Sequence, residues 1–317
     1  MSSLNPAGGK PSPSVIESRE VTAEGTAYDL YEPAQKAGRT VITVHGMTSR
    51  GARDSRLVRF SRALAHEKVR VAAIQLPAVA SFRFDPGDVR AMQDVIGALG
   101  SRHGTRVGII PFSFGAGISL VAASEKDTRD QVEAVLSFGA YYSLEETLRL
   151  IHQRYRGIPT TEEEWDNHLY MHFAMASSLG EKSGMSRDDL RTIDGFLESY
   201  CEATDFGPMK TFYLRSMAGL DLSDKCERSV PPEDLKAMSP EGRMGSMNCR
   251  VLLLHDSADP LIPPNSSQRI FKELEAARGG GMQKILVTPL LSHVQTGSIF
   301  HLADMPGLLS FFGEFVG

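Results

Sequence analysis

Ser113 is the residue in this chain whose surroundings best suit a nucleophile. It ends the β-rich run Ile109, Ile110, Pro111, Phe112 and is followed at once by Phe114, Gly115, Ala116 and Gly117, a small-residue segment that leads into a helix. A serine on so tight a strand-to-helix turn is raised above the sheet at a helix N-terminus, and small neighbours let backbones pass close to it. The first glycine of the usual G-x-S-x-G spacing is replaced here by Pro111, which is restricted in φ and lacks an N–H. A serine hydroxyl is a weak nucleophile near neutral pH, so it needs a base within reach and a third group that holds the base in its useful tautomer. Both types occur further along, Asp259 after the apolar run 251–254 and His293 after the run 284–288. Acyl chemistry also needs donors for a developing oxyanion. The turn His45, Gly46, Met47 exposes backbone after another strand, so the N–H groups of Met47 and Phe114 are the candidate pair, with His45 and Gly46 shaping the loop.

These residues need strands to carry them. From residue 15 the chain alternates short β-branched runs with helical stretches. VIESREVTAEGTAYDLYEP reads as two strands joined at Gly25, and RTVITVHG, VRVAAIQLP, TRVGIIPFS, AVLSFGAYY, CRVLLLHDSADP and KILVTPLLSH read as further strands. Helices are expected over 54–67 and from Pro86, with Asp88 adding favourable charge to a first turn. Near-continuous apolar strands separated by helices imply a mostly parallel sheet covered on both faces, an α/β fold. Ser113, Asp259 and His293 each then fall just beyond a C-terminal strand end, where open sheets place their sites.

The alternation stops between 141 and 240, which reads as an inserted helical cap with helices near 143–155, 161–178, 186–203 and 207–218. Residues 15–140 and 241–317 form the core, and 1–14, rich in Pro, Gly and Ser, reads as a flexible leader. Met171, Phe173, Met175, Phe212 and similar side chains are expected to fill the cap interior, some of them lining an apolar pocket.

Composition removes several classes of function. The 317 residues carry a net charge of −5 without clustered Lys and Arg, which excludes a nucleic-acid surface. No window approaches the roughly 18 apolar residues of a membrane span, and the start has no secretory core, so a cytoplasmic location is expected. Three scattered cysteines fit a reduced compartment. No cofactor is implied, and GARGGGMQ, which lacks the context of a dinucleotide loop, reads as a flexible turn. His168 and His172 share a helix face at i, i+4, but Leu169 stands where a zinc-binding H-E-x-x-H would have Glu, so no metal is assigned. Trp165 and the acidic run 162–164 read as a solvated first turn. The sequence leaves a homodimer open.

Taken together, VITVHGM, IIPFSFGAG, LLLHDSADPLIPP and LLSHV, in this order, resemble the α/β-hydrolase superfamily over residues 20–140 and 240–317. The resemblance implies the α/β-hydrolase fold, with Ser113 as nucleophile, His293 as base and then acid, Asp259 as its orienter, and Met47 and Phe114 as oxyanion hole. Asp259 is preferred over Asp256 because it occupies the acid position of the family's H-G-x-x-D pattern. Glu145 or Glu146, after the preceding strand, is the alternative acid. His66, His103 and His301 read as helix residues rather than bases. A Ser at the elbow argues against the dehalogenase and epoxide-hydrolase branches. The expected activity is cleavage of an ester or thioester of a small to medium apolar acyl compound through an acyl-enzyme. An acyltransferase, cyclase or thioesterase using the same triad, a peptidase, and a non-catalytic binding protein are the rivals.

Overall fold

The computed structural model describes residues 15–289 together with 311, 313 and 315. His293 and His301, and the leader 1–14, lie outside the described residues. The strands are β1 (Val15–Val21), β2 (Ala27–Pro33), β3 (Arg39–Val44), β4 (Val69–Ile74), β5 (Val107–Pro111), β6 (Val132–Phe138), β7 (Arg250–Asp256) and β8 (Gln283–Thr288). They form one sheet in the order β1-β2-β4-β3-β5-β6-β7-β8. β1 and β2 pair antiparallel, as do β2 and β4, while the ladders from β4 through β8 are parallel. The turn between β1 and β2 needs Gly25 at φ 95°.

The parallel strands are apolar throughout because successive side chains feed two cores. Ile42, Ile109, Val251 and Leu253 point into one core, and Val41, Ile110, Leu252 and Leu254 into the other. The second core is closed by helix α1 (Ser55–His66) with Phe311 and Phe315, and Asp54 caps α1 by accepting from Arg56 N. The first is covered by α2 (Pro77–Ala80), α3 (Gly87–His103) and α4 (Phe114–Ser124). Every residue of α4 is buried, which explains why its sequence is apolar all round rather than on one stripe.

Between β6 and β7 the chain forms α5 (Leu144–Arg154), α6 (Glu162–Leu179), α7 (Arg187–Ser199), α8 (Gly207–Ser216), α9 (Leu222–Glu227) and α10 (Pro232–Ala237). A last helix, α11 (Asn265–Arg278), joins β7 to β8. Ser186 caps α7 by accepting from Asp189 N at 3.1 Å, as its sequence suggests. Trp165 departs from expectation. It is buried, packs edge-on to His168 and Tyr213, and lies beneath the Lys210 ammonium at 4.5 Å, while Lys210 also pairs with Glu162. Glu162 and Glu164 are exposed on one side of this turn, and the indole turns inward to the helical insertion's own core. Among the described residues no helix is long and apolar enough to cross a membrane.

The tightest approach in the fold is α4 against β3. A Cβ on Gly115 would lie 2.2 Å from the carbonyl oxygen of His45, and one on Gly117 2.2 Å from the Tyr141 ring. Backbone cannot swing aside as a side chain can, so Gly115→Ala is expected to lower the unfolding free energy by about 2 kcal/mol or more in urea titrations. A loss within 0.5 kcal/mol, the size of an ordinary surface substitution, would contradict this packing.

Candidate active site

β5 delivers Ser113 in a sparsely populated conformation, φ 52° and ψ −126°. Hydrogen bonds on both sides hold it there. Phe112 N donates to Val44 O at 3.0 Å and Ser113 N to Phe138 O at 2.7 Å, while Ser113 O accepts from Ala116 N as α4 begins. Pro111 is compatible with this turn. Strand N–H groups alternate sides, so a donor at 111 would face β6, and the β5–β6 pairing lapses there, between Ile109↔Val135 and Phe112↔Phe138. The missing N–H therefore leaves a one-bond gap in a ladder otherwise in register from Ile109 to Phe112, directly before the turn that carries Ser113. Ser113 is buried, and its hydroxyl has no hydrogen-bond partner among the described residues.

Gly46 comes close beside it, since a Cβ there would stand 3.0 Å from Ser113 Cβ and 3.3 Å from Phe112 O. The loop that carries Gly46 is shaped by His45. Its Nδ1–H donates to Gly46 O at 2.7 Å and its Nε2 accepts from Leu76 N at 3.0 Å, which requires the neutral ring. Burial accordingly pushes His45 down to about 4. The backbone N–H groups of Met47 and Phe114 have no partner among the described residues, which suits donors kept for a ligand. The Met47 carbonyl accepts from the Tyr170 hydroxyl of α6, which ties this loop to the helical insertion.

Asp259 lies beyond β7 and is buried. Its Oδ1 accepts from Leu261 N at 2.8 Å and Ile262 N at 2.9 Å, which fixes the carboxylate plane. Its Oδ2 lies 3.6 Å from the point a Cβ on Gly139 would occupy. Gly139, at φ 64°, follows Phe138, the residue whose carbonyl holds Ser113 N, so acid and serine flank one strand end. Asp256 instead closes its own turn by accepting from Ala258 N. Of the alternative acids, Glu145 is exposed on the first turn of α5 and Glu146 pairs with Arg269. The sequence reading passed over His255, which is wholly buried. Its Nε2–H donates to Ile262 O at 2.8 Å, and its Nδ1 meets Ser267 Oγ at 2.6 Å, so it shapes the acid loop as His45 shapes the other. The signal was available, a histidine directly at a strand end before a functional turn.

Above the strand ends a narrow cleft, open to solvent at its mouth, runs between core and insertion. Met47, Phe82, Phe84 and Phe114 form its core side, and Met171 and Met175 of α6 part of the other. His168 and His172 lie apart from it in their own aromatic cluster, rings stacked at 4.0 Å, with His168 pushed down to about 3 by burial and by its neighbour. Among the described residues no cluster of His, Cys, Asp and Glu is arranged to hold a metal.

Asp88 behaves differently from a surface dipole charge. It is buried, and its carboxylate accepts from Ala78 N at 3.2 Å and Val79 N at 2.9 Å at the start of α2. Desolvation outweighs these bonds and pushes it up to about 6.

No family model matches the chain, and no curated protein matches it in sequence. Solved structures match its fold. An esterase from Pyrococcus furiosus superposes with a TM-score of 0.60 at 13% identity, over 98% of this chain and 96% of its own. A puromycin-hydrolysing peptidase from Mycobacterium tuberculosis gives 0.55 at 16% identity, over 97% of this chain and 40% of its own. An acylaminoacyl peptidase from Pyrococcus horikoshii gives 0.53 at 13% identity, over 95% of this chain and 41% of its own. With the strand order above, the chain has the α/β-hydrolase fold.

His45 and Asp88 grip the same short helix and titrate with opposite signs. The unfolded chain binds the His45 proton more tightly, so that group's stabilisation is lost as pH falls from about 6.5 towards 4. The folded state binds the Asp88 proton more tightly, so that group favours folding at low pH and loses this as pH rises from about 4 through 6. Each contributes at most about 3 kcal/mol across its window. Asp88→Asn is expected to steepen the fall of the thermal midpoint on acidification from pH 6.5 to 4, and His45→Gln to flatten it. Equal slopes in all three proteins would contradict the assignment.

Proposed function

We propose that this protein is a serine hydrolase that cleaves a carboxylic ester or thioester with a small to medium apolar acyl group. The observation that carries the reading is the conformation of Ser113, a buried serine held at positive φ at the head of α4. That arrangement stores backbone strain for no evident gain in packing, and functional sites are where such strain collects. The N–H groups of Met47 and Phe114, without a partner among the described residues, and a buried, oriented Asp259 support the same reading.

In this mechanism Ser113 Oγ attacks the acyl carbonyl as His293 takes its proton. The carbonyl oxygen becomes an oxyanion that accepts from Met47 N–H and Phe114 N–H. Asp259 accepts from the His293 ring and stabilises the imidazolium, which then returns the proton to the leaving alcohol or thiol. A water that gives its proton to His293 attacks the acyl-enzyme, and as the Ser113 Oγ–acyl bond breaks His293 returns that proton to Ser113 Oγ and the acid is released. Residues 141–240 serve as the cap that supplies the second wall of the acyl pocket and excludes bulk water. The buried Cys249 and the partly buried Cys226, both free thiols, fit a reduced, cytoplasmic setting.

Treatment with an alkyl fluorophosphonate is expected to modify the wild type at Ser113 with one adduct per chain, mapped by peptide mass. Ser113→Ala should take up none, and His293→Ala and Asp259→Asn should react at least about 100-fold more slowly, as expected when a general base or its orienter is lost. A folded wild type that remains unmodified would point to the non-catalytic alternative.

A further inference from the structure

Among the described residues three non-glycine residues have positive φ. Lys68 is exposed in a turn. The other two are Ser113 and Phe82, both buried, at opposite ends of one contact chain. Phe82 lies at φ 55° just past the C-terminus of α2, where Phe82 N donates to Val79 O and Arg83 N to Ala78 O. That is the left-handed position at which helices ordinarily use glycine, because a side chain there crowds its own backbone. The cost is retained although α2 is only four residues long, and the N–H groups at its start are held from outside. His45 accepts from Leu76 N, and Asp88 from Ala78 N and Val79 N. The Phe82 ring is buried and lines the cleft. It stands edge-on to Tyr170 at 6.0 Å, and Tyr170 donates to Met47 O, so the ring closes the cleft beside the oxyanion loop. From there the cleft follows α6 past Met171, Ala174 and Ser178, about 10 Å along the helix at 1.5 Å per residue.

We propose that Phe82 is a specificity-determining residue, whose ring narrows the acyl pocket next to the reacting carbonyl so that straight apolar acyl chains are admitted and groups branched or aromatic at that point are refused. The proposal rests on the assignment of Ser113 as nucleophile and deepens it. A glycine would satisfy the backbone at this position and leave the pocket wide. Phenylalanine satisfies the pocket at the backbone's expense.

The test measures rates of covalent labelling by an n-octyl and a phenyl fluorophosphonate, in which the group on phosphorus takes the place of the acyl chain. The wild type is expected to prefer the n-octyl probe. In Phe82→Gly and Phe82→Ala the ratio of phenyl to n-octyl rates is expected to rise tenfold or more, and a smaller rise in both folded variants overturns the proposal. Phe82→Leu, which keeps an apolar side chain, serves if those variants do not fold, and it must move the ratio at least threefold in the same direction or the proposal fails. A second arm separates this inference from the nucleophile assignment. In Ser113→Ala, binding of octanoate and of benzoate is measured by calorimetry, alone and combined with Phe82→Gly. Octanoate preference that the second substitution reverses supports the pocket assignment even if wild-type Ser113 resists every probe. No change in preference overturns it, however well Ser113 reacts.

Discussion

The backbone of Ser113 is the constraint around which the rest of this structure is arranged. Positive φ at a non-glycine residue costs roughly 1–3 kcal/mol and persists only where its surroundings over-determine it. Here β5 is held by Val44 on one side and Phe138 on the other, and α4 starts at once. The turn leaves no room for side chains at Gly46 or Gly115, each of which passes against backbone of the opposite element. Phe114, which opens α4 at this turn, and Met47 of the neighbouring loop line the same cleft, and their N–H groups have no partner among the described residues. On the proposed reading, nucleophile and anion-binding groups belong to one feature of the chain path, and the parallel strands on either side hold that path in place.

Two buried histidines do similar work at the neighbouring strand ends. His45 links the oxyanion loop to the start of α2, and His255 links the acid loop to α11 through Ser267. Each ring satisfies backbone groups that a loop leaving a buried sheet would otherwise strand away from water. α2 is in turn gripped by Asp88, and its far end carries Phe82 into the cleft. A continuous set of contacts therefore runs from Gly46 through His45 and α2 to the pocket wall, and returns through Tyr170 to Met47.

Much of this was legible in the sequence, and the gaps have physical causes. Strands with apolar residues at consecutive positions identify themselves as central and parallel, because only burial on both faces allows that pattern. The serine turn and the H-G turn were readable because small residues are needed wherever backbones approach closely. Asp88 stands in the first turn of α3 as the sequence indicates, and its burial there comes from α2, packed against it. Trp165 reads as solvated because it stands beside an acidic first turn, and its burial depends on Lys210 and Tyr213, residues distant along the chain. Phe82 was invisible for another reason. Local sequence favours glycine at left-handed helix ends, so a phenylalanine there gives no signal until the fold shows where its ring points. His293, the proposed base, lies outside the described residues.

The central claim is that Ser113, Met47 and Phe114 form one reacting centre. A crystal structure of the fluorophosphonate-modified protein tests it most directly. The account expects the phosphorus on Ser113 Oγ and its phosphoryl oxygen about 2.7–3.1 Å from both Met47 N and Phe114 N. An adduct on another residue, or a phosphoryl oxygen turned away from both donors, would contradict it.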